Sequence, residues 1–312
     1  MKNIFQIIII LLYFQVKFVQ SAESAGTGQM LSPDARMAGL AGSFDALSDS
    51  VDSVYYNPAG LGMMENIMFN GSYMPGWDTL TSVYYFSAAF PNQVLPFGIG
   101  YCNVDSGGIP VRDSSPEIVR TADFRNINTF VSGAYALAPG LSFGLRVRVN
   151  YVSLYTSQDW GAGADLAFLW RRPDPYSFTK SSFLETIQPI SFGLVLYNLY
   201  SSGIRLKDSV EKSPMILKAG LSYRFRTLFK FLEPEPGLGM EGIPEYKTWL
   251  FSAGLDLVFW DIAFLRAGYK ISENVFTMGT GVNVWDMTLD FSLSFLPLSS
   301  NFYNLNLKIK FN

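Results

Sequence analysis

The chain of 312 residues contains no histidine. That absence removes the Ser-His-Asp triad, the Cys-His dyad and every imidazole-ligated zinc or haem. It contains one cysteine, Cys102, so there is no internal disulfide and no thiolate metal cluster. Cys102 sits in the aromatic stretch "GIGYCNVD" and reads as a small packed residue. Charge is also scarce: charged residues are 16% of the chain, against roughly 25% in an ordinary soluble protein. The net charge of -3 offers no basic surface for nucleic acid. No metal, cofactor or catalytic residue is expected, and enzyme activity would have to rest on carboxylates or lysines alone. Two carboxylates converging for glycoside hydrolysis would be one such case, but nothing in the sequence pairs them.

Long hydrophobic runs are missing as well. The longest stands at the start, "MKNIFQIIIILLYFQVKFVQSAESAG", where Lys2 precedes an apolar stretch from Ile4 to Phe14 and then small residues. This three-part pattern predicts a secretory signal peptide over 1–22, with cleavage between Ser21 and Ala25. The stretch is about half of the roughly 20 residues a membrane-spanning helix requires, and Lys17 interrupts it, which argues against a retained anchor. An exported chain with no other such run crosses a membrane, if at all, with strands.

What is abundant is aromatic side chains, with 26 Phe and 17 Tyr, set in period-two alternation. In "LSFGLRVRVNY" the residues Leu141, Phe143, Leu145, Val147, Val149 and Tyr151 share one face, while Ser142, Gly144, Arg146, Arg148 and Asn150 share the other. "LDFSLSF", "LNLKIKFN" and "LKAGLSYRFR" repeat the pattern, placing Asp290, Lys308, Lys218, Arg224 and Arg226 on the polar side. Segments of about ten residues with one greasy and one wet face fit the 9–11 residues of a tilted membrane strand. Glycines recur on the polar face (Gly98, Gly100, Gly193, Gly220, Gly254 and Gly268), where a curved wall or an internal plug would approach the backbone. Trp160, Trp170, Trp249, Trp260 and Trp285 fall at or near segment ends, as interfacial girdles do.

Thirteen segments read as strands, beginning near Ile67, Leu80, Val94, Asn128, Leu141, Trp160, Ile190, Met215, Lys247, Ile262, Phe276, Met287 and Tyr303. A further strand could lie in "IPVRDSSPEIVRTADF", which suits an external loop equally well, while "RRPDPYSFTKSSFLETIQP" and "RTLFKFLEPEPGLGMEGIPEYK" read as surface loops or interfacial helices. Single-chain barrels use an even strand count. The expected fold is therefore all-β, a transmembrane antiparallel β-barrel of fourteen strands, or else twelve, spanning 65–312. The two "WD" joints, at 260–261 and 285–286, read as tight turns.

The segment before the first strand is different material. Ser32-Pro33 is a good helix start. Ala35, Ala38, Gly39, Ala41 and Gly42 permit close packing, and Asp45, Asp49 and Asp52 make the stretch too polar for lipid. Asn57-Pro58 then forces a turn. A small-residue helical segment of this kind, over 23–64, suits the polar lumen of the barrel better than its wall.

The stretch "ARMAGLAGSFDALSDSVDSVYYNPAGLG" at 35–62 resembles the N-terminal hatch of the outer-membrane long-chain fatty acid transporter family (FadL-type). Its Asn-Pro-Ala turn is matched by Asn57, Pro58 and Ala59, followed by Gly60. The tail at 265–311 resembles the last strands of smaller relatives, including PorV-type barrels. The resemblance implies a fourteen-stranded monomeric barrel in the outer membrane of a diderm bacterium. An N-terminal hatch, centred on Asn57, Pro58, Ala59 and Gly60, would block its lumen. It further implies passive uptake of long-chain fatty acids or similar hydrophobic molecules, with outer-membrane lipid as the other partner and lateral diffusion through the wall. Arg146, Arg148, Arg224, Arg226 and Arg266 are candidate lumen cations for a carboxylate, or else structural partners of Asp165, Asp256 and Asp290. The alternatives are a plugged barrel that docks partners or serves as a secretion shuttle, and a general diffusion porin. A short chain, leaving roughly 18 residues per strand, departs from the longer transporters and reduces the external loops that would first capture ligand.

Overall fold

The computed structural model describes residues 32–75, 80–112, 118–171, 190–206, 209–225, 231–296 and 301–311. The signal peptide expected over 1–22, and all of "RRPDPYSFTKSSFLETIQP" except Arg171, lie outside the described residues. No helix among them is long and apolar enough to cross a membrane.

Among the described residues, sixteen strands follow a short α-helix, α1 (Ala35–Gly39). They are β1 (Ile67–Pro75), β2 (Thr81–Phe90), β3 (Phe97–Arg112), β4 (Ile118–Ala138), β5 (Leu141–Leu154), β6 (Ser157–Arg171), β7 (Ile190–Ser201), β8 (Ile204–Leu206), β9 (Ser209–Glu211), β10 (Ile216–Tyr223), β11 (Leu232–Ile243), β12 (Thr248–Phe259), β13 (Ala263–Lys270), β14 (Val275–Val284), β15 (Met287–Phe295) and β16 (Phe302–Phe311). β8 and β9 form a small hairpin of their own. The other fourteen close into one antiparallel barrel, each strand beside its sequence neighbour, with β1 paired to β16 from Ile67↔Phe311 to Tyr73↔Leu305. The fold is the fourteen-stranded transmembrane barrel that the alternation predicts. Closure leaves no unpaired edge in hydrocarbon, where each orphaned N–H or C=O would cost several kcal/mol.

The alternation is realised with the expected sense. On β5, Leu145, Val147 and Val149 are exposed, and Ser142, Gly144, Arg146, Arg148 and Asn150 are buried. On β16, Leu305 and Leu307 point outward while Asn306 and Lys308 are buried. The outer face carries most of the large apolar side chains. Trp160, Trp260 and Trp285 are 65%, 67% and 86% exposed at strand ends and turns. Trp260 and Asp261 both adopt positive φ, 50° and 56°, the two left-handed residues that a twist-matched two-residue hairpin turn requires.

Two readings of the middle of the chain need correction. The fourteenth strand is β11, inside the stretch read as a loop or interfacial helix. Its prolines, Pro234 and Pro236, obscured it, because proline is excluded from paired strand interiors. Both face the β10 side, as the Phe225 N–H bond to the Pro234 carbonyl shows (2.9 Å). They lie beyond the last β10 pair, Ser222↔Gly237, so their missing N–H groups interrupt no ladder. "IPVRDSSPEIVRTADF" is no separate strand: its described parts extend β3 and β4 into a long hairpin, with a register shift between Ser106 and Ile109.

The hydrophobic core lies at the centre of the barrel, where the N-terminal segment fills the lumen. Met37, Leu40, Leu47, Val51, Val54, Tyr56, Ala59 and Leu61 are each 1% exposed or less. α1 begins two residues later than Ser32-Pro33 predicts. Its N-cap is Asp34, whose carboxylate accepts from the N–H groups of Arg36 (2.9 Å) and Met37 (3.2 Å). The Pro33 carbonyl accepts instead from Asn304 on the wall (2.6 Å). After α1 the plug continues through three 3-10 turns, Asp45–Leu47, Val51–Val54 and Pro58–Met63.

Lumen glycines make room for this plug. Gly98, Gly193, Gly220, Gly254 and Gly268 lie against Val54, Ala46, Leu47, Leu40 and Ala41, whereas Gly100 accommodates the ring of Phe130. A Cβ at Gly144 would collide with the backbone of Pro58 and Ala59. Gly144→Leu is therefore expected to destabilise the plugged barrel by about 1–3 kcal/mol or more. Gly133→Leu, at an outward site whose nearest neighbour atom is 3.9 Å from the new Cβ, is expected to be near neutral. Loss of the heat-modifiable band shift with temperature, compared for the two variants, measures this.

Candidate functional site

The plug turns on Asn57. Its Oδ1 accepts from Ala59 N–H (3.0 Å), capping the 3-10 turn that Pro58 opens. Its Nδ2 donates to the carbonyls of Ala46 (2.5 Å), within the plug, and Phe168 (3.3 Å), on the wall. Ala59 is fully buried, and its carbonyl accepts from Ser142 Oγ. Gly60 is required because a Cβ there would meet the Ser48 carbonyl. The Asn-Pro-Ala-Gly turn thus sits inside the cylinder, tying two parts of the plug to strands β5 and β6. Elsewhere wall side chains hold plug carbonyls directly: Ser132 donates to Val54 (2.8 Å), Thr277 to Gly39 (2.9 Å) and Tyr197 to Tyr56 (2.5 Å).

Ion pairs complete the seating. Lys308 lies 3.1 Å from Asp34 and 2.8 Å from Asp52, both in the plug, and 3.7 Å from wall residue Asp290. Lys218 meets plug residue Asp45 at 2.7 Å and Glu241 at 3.1 Å. Plug residue Arg36 approaches Asp256 at 3.6 Å, and Arg171 pairs with Asp49. Each of these charges is largely buried, where an abandoned partner costs about 3–5 kcal/mol.

The candidate lumen cations divide into separate groups. Arg266 pairs with Asp290 (2.6 Å) and Asp256 (3.3 Å), and Arg224 with Glu235 (2.7 Å); Arg226 lies outside the described residues. Arg146 and Arg148 both bind Asp165. Arg146 also donates to the Tyr55 carbonyl, and Arg148 to Asn198 Oδ1. Two buried guanidiniums, each 4% exposed, therefore share one carboxylate. Among the described residues no other acid pairs with either, and Nε of Arg148 has no hydrogen-bond partner.

Beside this pair the lumen wall changes character. Tyr85, Cys102, Asn128 and Asn150 stand side by side across β2 to β5, and Val83, Val104, Asn126 and Val152 form the next row, with Met74 adjoining Val83. All are buried. Asn128 donates to Asn126 Oδ1 (3.1 Å), while Oδ1 of Asn128 and Oδ1 of Asn150 accept nothing among the described residues. This is an apolar patch with a few amides, ending at an under-compensated arginine pair. Sequence reasoning missed the patch, and did not mark Lys308, Lys218 or Asp34 as site residues. Alternation places such residues on the lumen face without saying which meet.

A scan against family models and a search of curated proteins found no match. Solved structures do match. The monoaromatic hydrocarbon channel CymD aligns with TM-score 0.60 at 12% identity, covering 89% of this chain and 97% of that one. The Pseudomonas putida toluene transporter TodX gives 0.56 at 11%, covering 84% and 93%. A Pseudomonas aeruginosa FadL homologue gives 0.54 at 10%, covering 90% and 99%. At these identities the likeness establishes the fold, a fourteen-stranded FadL-like barrel.

The Asp34 carboxyl is pushed up from its ordinary 3.8 to about 7 by burial first and then by the Asp52 charge, against the opposing pull of Lys308. Asp290 also faces it, and Arg36 approaches Asp52 at 3.9 Å. The folded protein holds a proton that the unfolded chain releases near pH 3.8, so this contribution is complete below that pH and is lost as pH rises through about 7. Plug stability is expected to fall between about pH 4 and 7. Asp34→Asn, which keeps a capping oxygen, should flatten that slope; an unchanged slope in melting temperature would contradict the assignment.

Proposed function

We propose that this chain is an outer-membrane channel for passive uptake of hydrophobic molecules, long-chain fatty acids among them. In this reading the plug over 32–64 gates the lumen, and the cargo leaves sideways through the wall. The protein is a transporter and not an enzyme, works as a monomer, and needs no cofactor. The observation that carries the reading is the lumen itself. A barrel with a hydrocarbon-facing exterior contains an apolar internal patch beside two arginines that share one carboxylate. A ligand carboxylate on Arg148 would supply the missing charge and partner its free Nε, while the chain lies along Val83, Val104 and Val152. The similarity of fold to a monoaromatic hydrocarbon channel and a toluene transporter supports a hydrophobic cargo.

Plug movement is needed because the plug fills the space through which cargo would pass. The links between plug and wall are hydrogen bonds and ion pairs rather than covalent bonds, so they can be exchanged for contacts with ligand or water.

The test is transfer of long-chain fatty acid into liposomes reconstituted with the purified protein, alongside its methyl ester. The wild type should accelerate transfer of the acid and bind it more tightly than the ester. Arg148→Gln, which leaves Asp165 paired with Arg146, should weaken acid binding by about tenfold or more, the worth of a charge-assisted hydrogen bond, and erase the preference over the ester. Absence of any ligand-dependent transfer by the wild type would remove the proposal.

A further inference from the structure

We propose that the outer face of the β16–β1–β2 seam is a binding site for one hydrocarbon chain of a bilayer phospholipid. This goes beyond uptake through the lumen and rests only on the strands spanning the membrane. Reading across the register, the outward row at this level is Phe86, Gly71, Leu307 and Leu289. Gly71 leaves a notch among large neighbours: a Cβ there would touch only the Phe86 ring, at 3.5 Å. On one side the notch is bounded by Tyr73 stacked on Tyr84, with centroids 5.1 Å apart. On the other stands Phe69, edge-on to Phe90 at 6.1 Å and to Phe311 at 5.4 Å. Two troughs of about 600 and 460 Å³ share Gly71, Phe86 and Leu307. Those volumes fall within the roughly 300–1,000 Å³ of ordinary ligand clefts.

Missing side chains do not open the wall everywhere. Gly242 is also on the outer face, and there the Trp249 ring lies over the vacant position. At Gly71, as at Gly133, no neighbour closes the gap, and Gly71 is where two troughs meet. An unfilled gap forfeits dispersion contacts along its whole lining, so a flexible chain that fills it is held more firmly than lipid on the smooth wall. The occupant comes from the membrane side. The ladder on both flanks of β1 is unbroken, from Ile67 to Tyr73 against β16 and from Met68 to Pro75 against β2, so no passage from the lumen reaches the notch. The outward side chains of the row carry no charge, which fits an acyl chain rather than a headgroup.

Native mass spectrometry of the full chain, extracted from bilayers of phosphatidylethanolamine at rising detergent concentration, tests the site. Wild type should retain one phospholipid after the remaining lipid is stripped. Gly71→Leu should lose it at several-fold lower detergent, and so should Leu307→Trp, which fills the trough from the neighbouring strand. Ala267→Leu, adding the same bulk at an outward position on β13, should behave as wild type. Heat-modifiable migration checks that each variant is folded. Equal retention by wild type and both trough-filling variants would overturn the proposal, as would equal loss in Ala267→Leu. Retention of added palmitate in place of phospholipid would overturn the assignment of the occupant. Fatty acid transfer measured on the same samples keeps the two proposals apart, since lipid loss with transfer intact leaves the uptake reading untouched.

Discussion

Hydrocarbon cannot satisfy a backbone hydrogen bond, and that constraint organises the whole molecule. Every strand in the wall must find two partners, so the sheet closes where β1 meets β16. Closure at fourteen strands leaves an interior too wide for wall side chains alone to fill. The chain fills it with its own leading segment, and most of the largest fully buried side chains are found there. A protein with a greasy surface thus carries its hydrophobic core in the middle of a polar-lined cylinder.

The plug is polar enough to need partners and small enough to sit close. Glycines on the lumen face allow plug backbone to approach wall backbone, and side-chain donors on the wall take the carbonyls that short 3-10 turns leave free. Lys308 stands where α1, the second 3-10 turn and the closing strand meet, balancing Asp34 and Asp52 together. Such pairs specify position more than they add stability, because desolvation offsets much of their attraction. A plug seated by this balance is held in one place.

The two faces of the wall divide the chemistry. Inside, Lys308, Lys218 and Arg266 each meet two or more acids, whereas Arg146 and Arg148 share one carboxylate next to valines and asparagines. Outside, the surface is apolar and mostly filled, with a notch at Gly71. A missing side chain has opposite meanings at two sites: inward, at Gly144, it admits the plug; outward, at Gly71, it admits lipid.

The sequence by itself determined the barrel, the sense of each strand and the material of the plug. Period two sorts Arg146 from Leu145 and Lys308 from Leu307 without any knowledge of neighbours, because a pleated strand allows only two directions. It could not place β11, since Pro234 and Pro236 are tolerable only where the adjacent strand has already ended, a fact about β10. Nor could it begin α1 at Asp34 rather than Ser32, because the Pro33 carbonyl is taken by Asn304, far along the chain. Which acid meets which base, and which inward residues gather into an apolar patch, were decided only by the closed tertiary structure. Register across strands and contact across the lumen join residues that no local pattern relates.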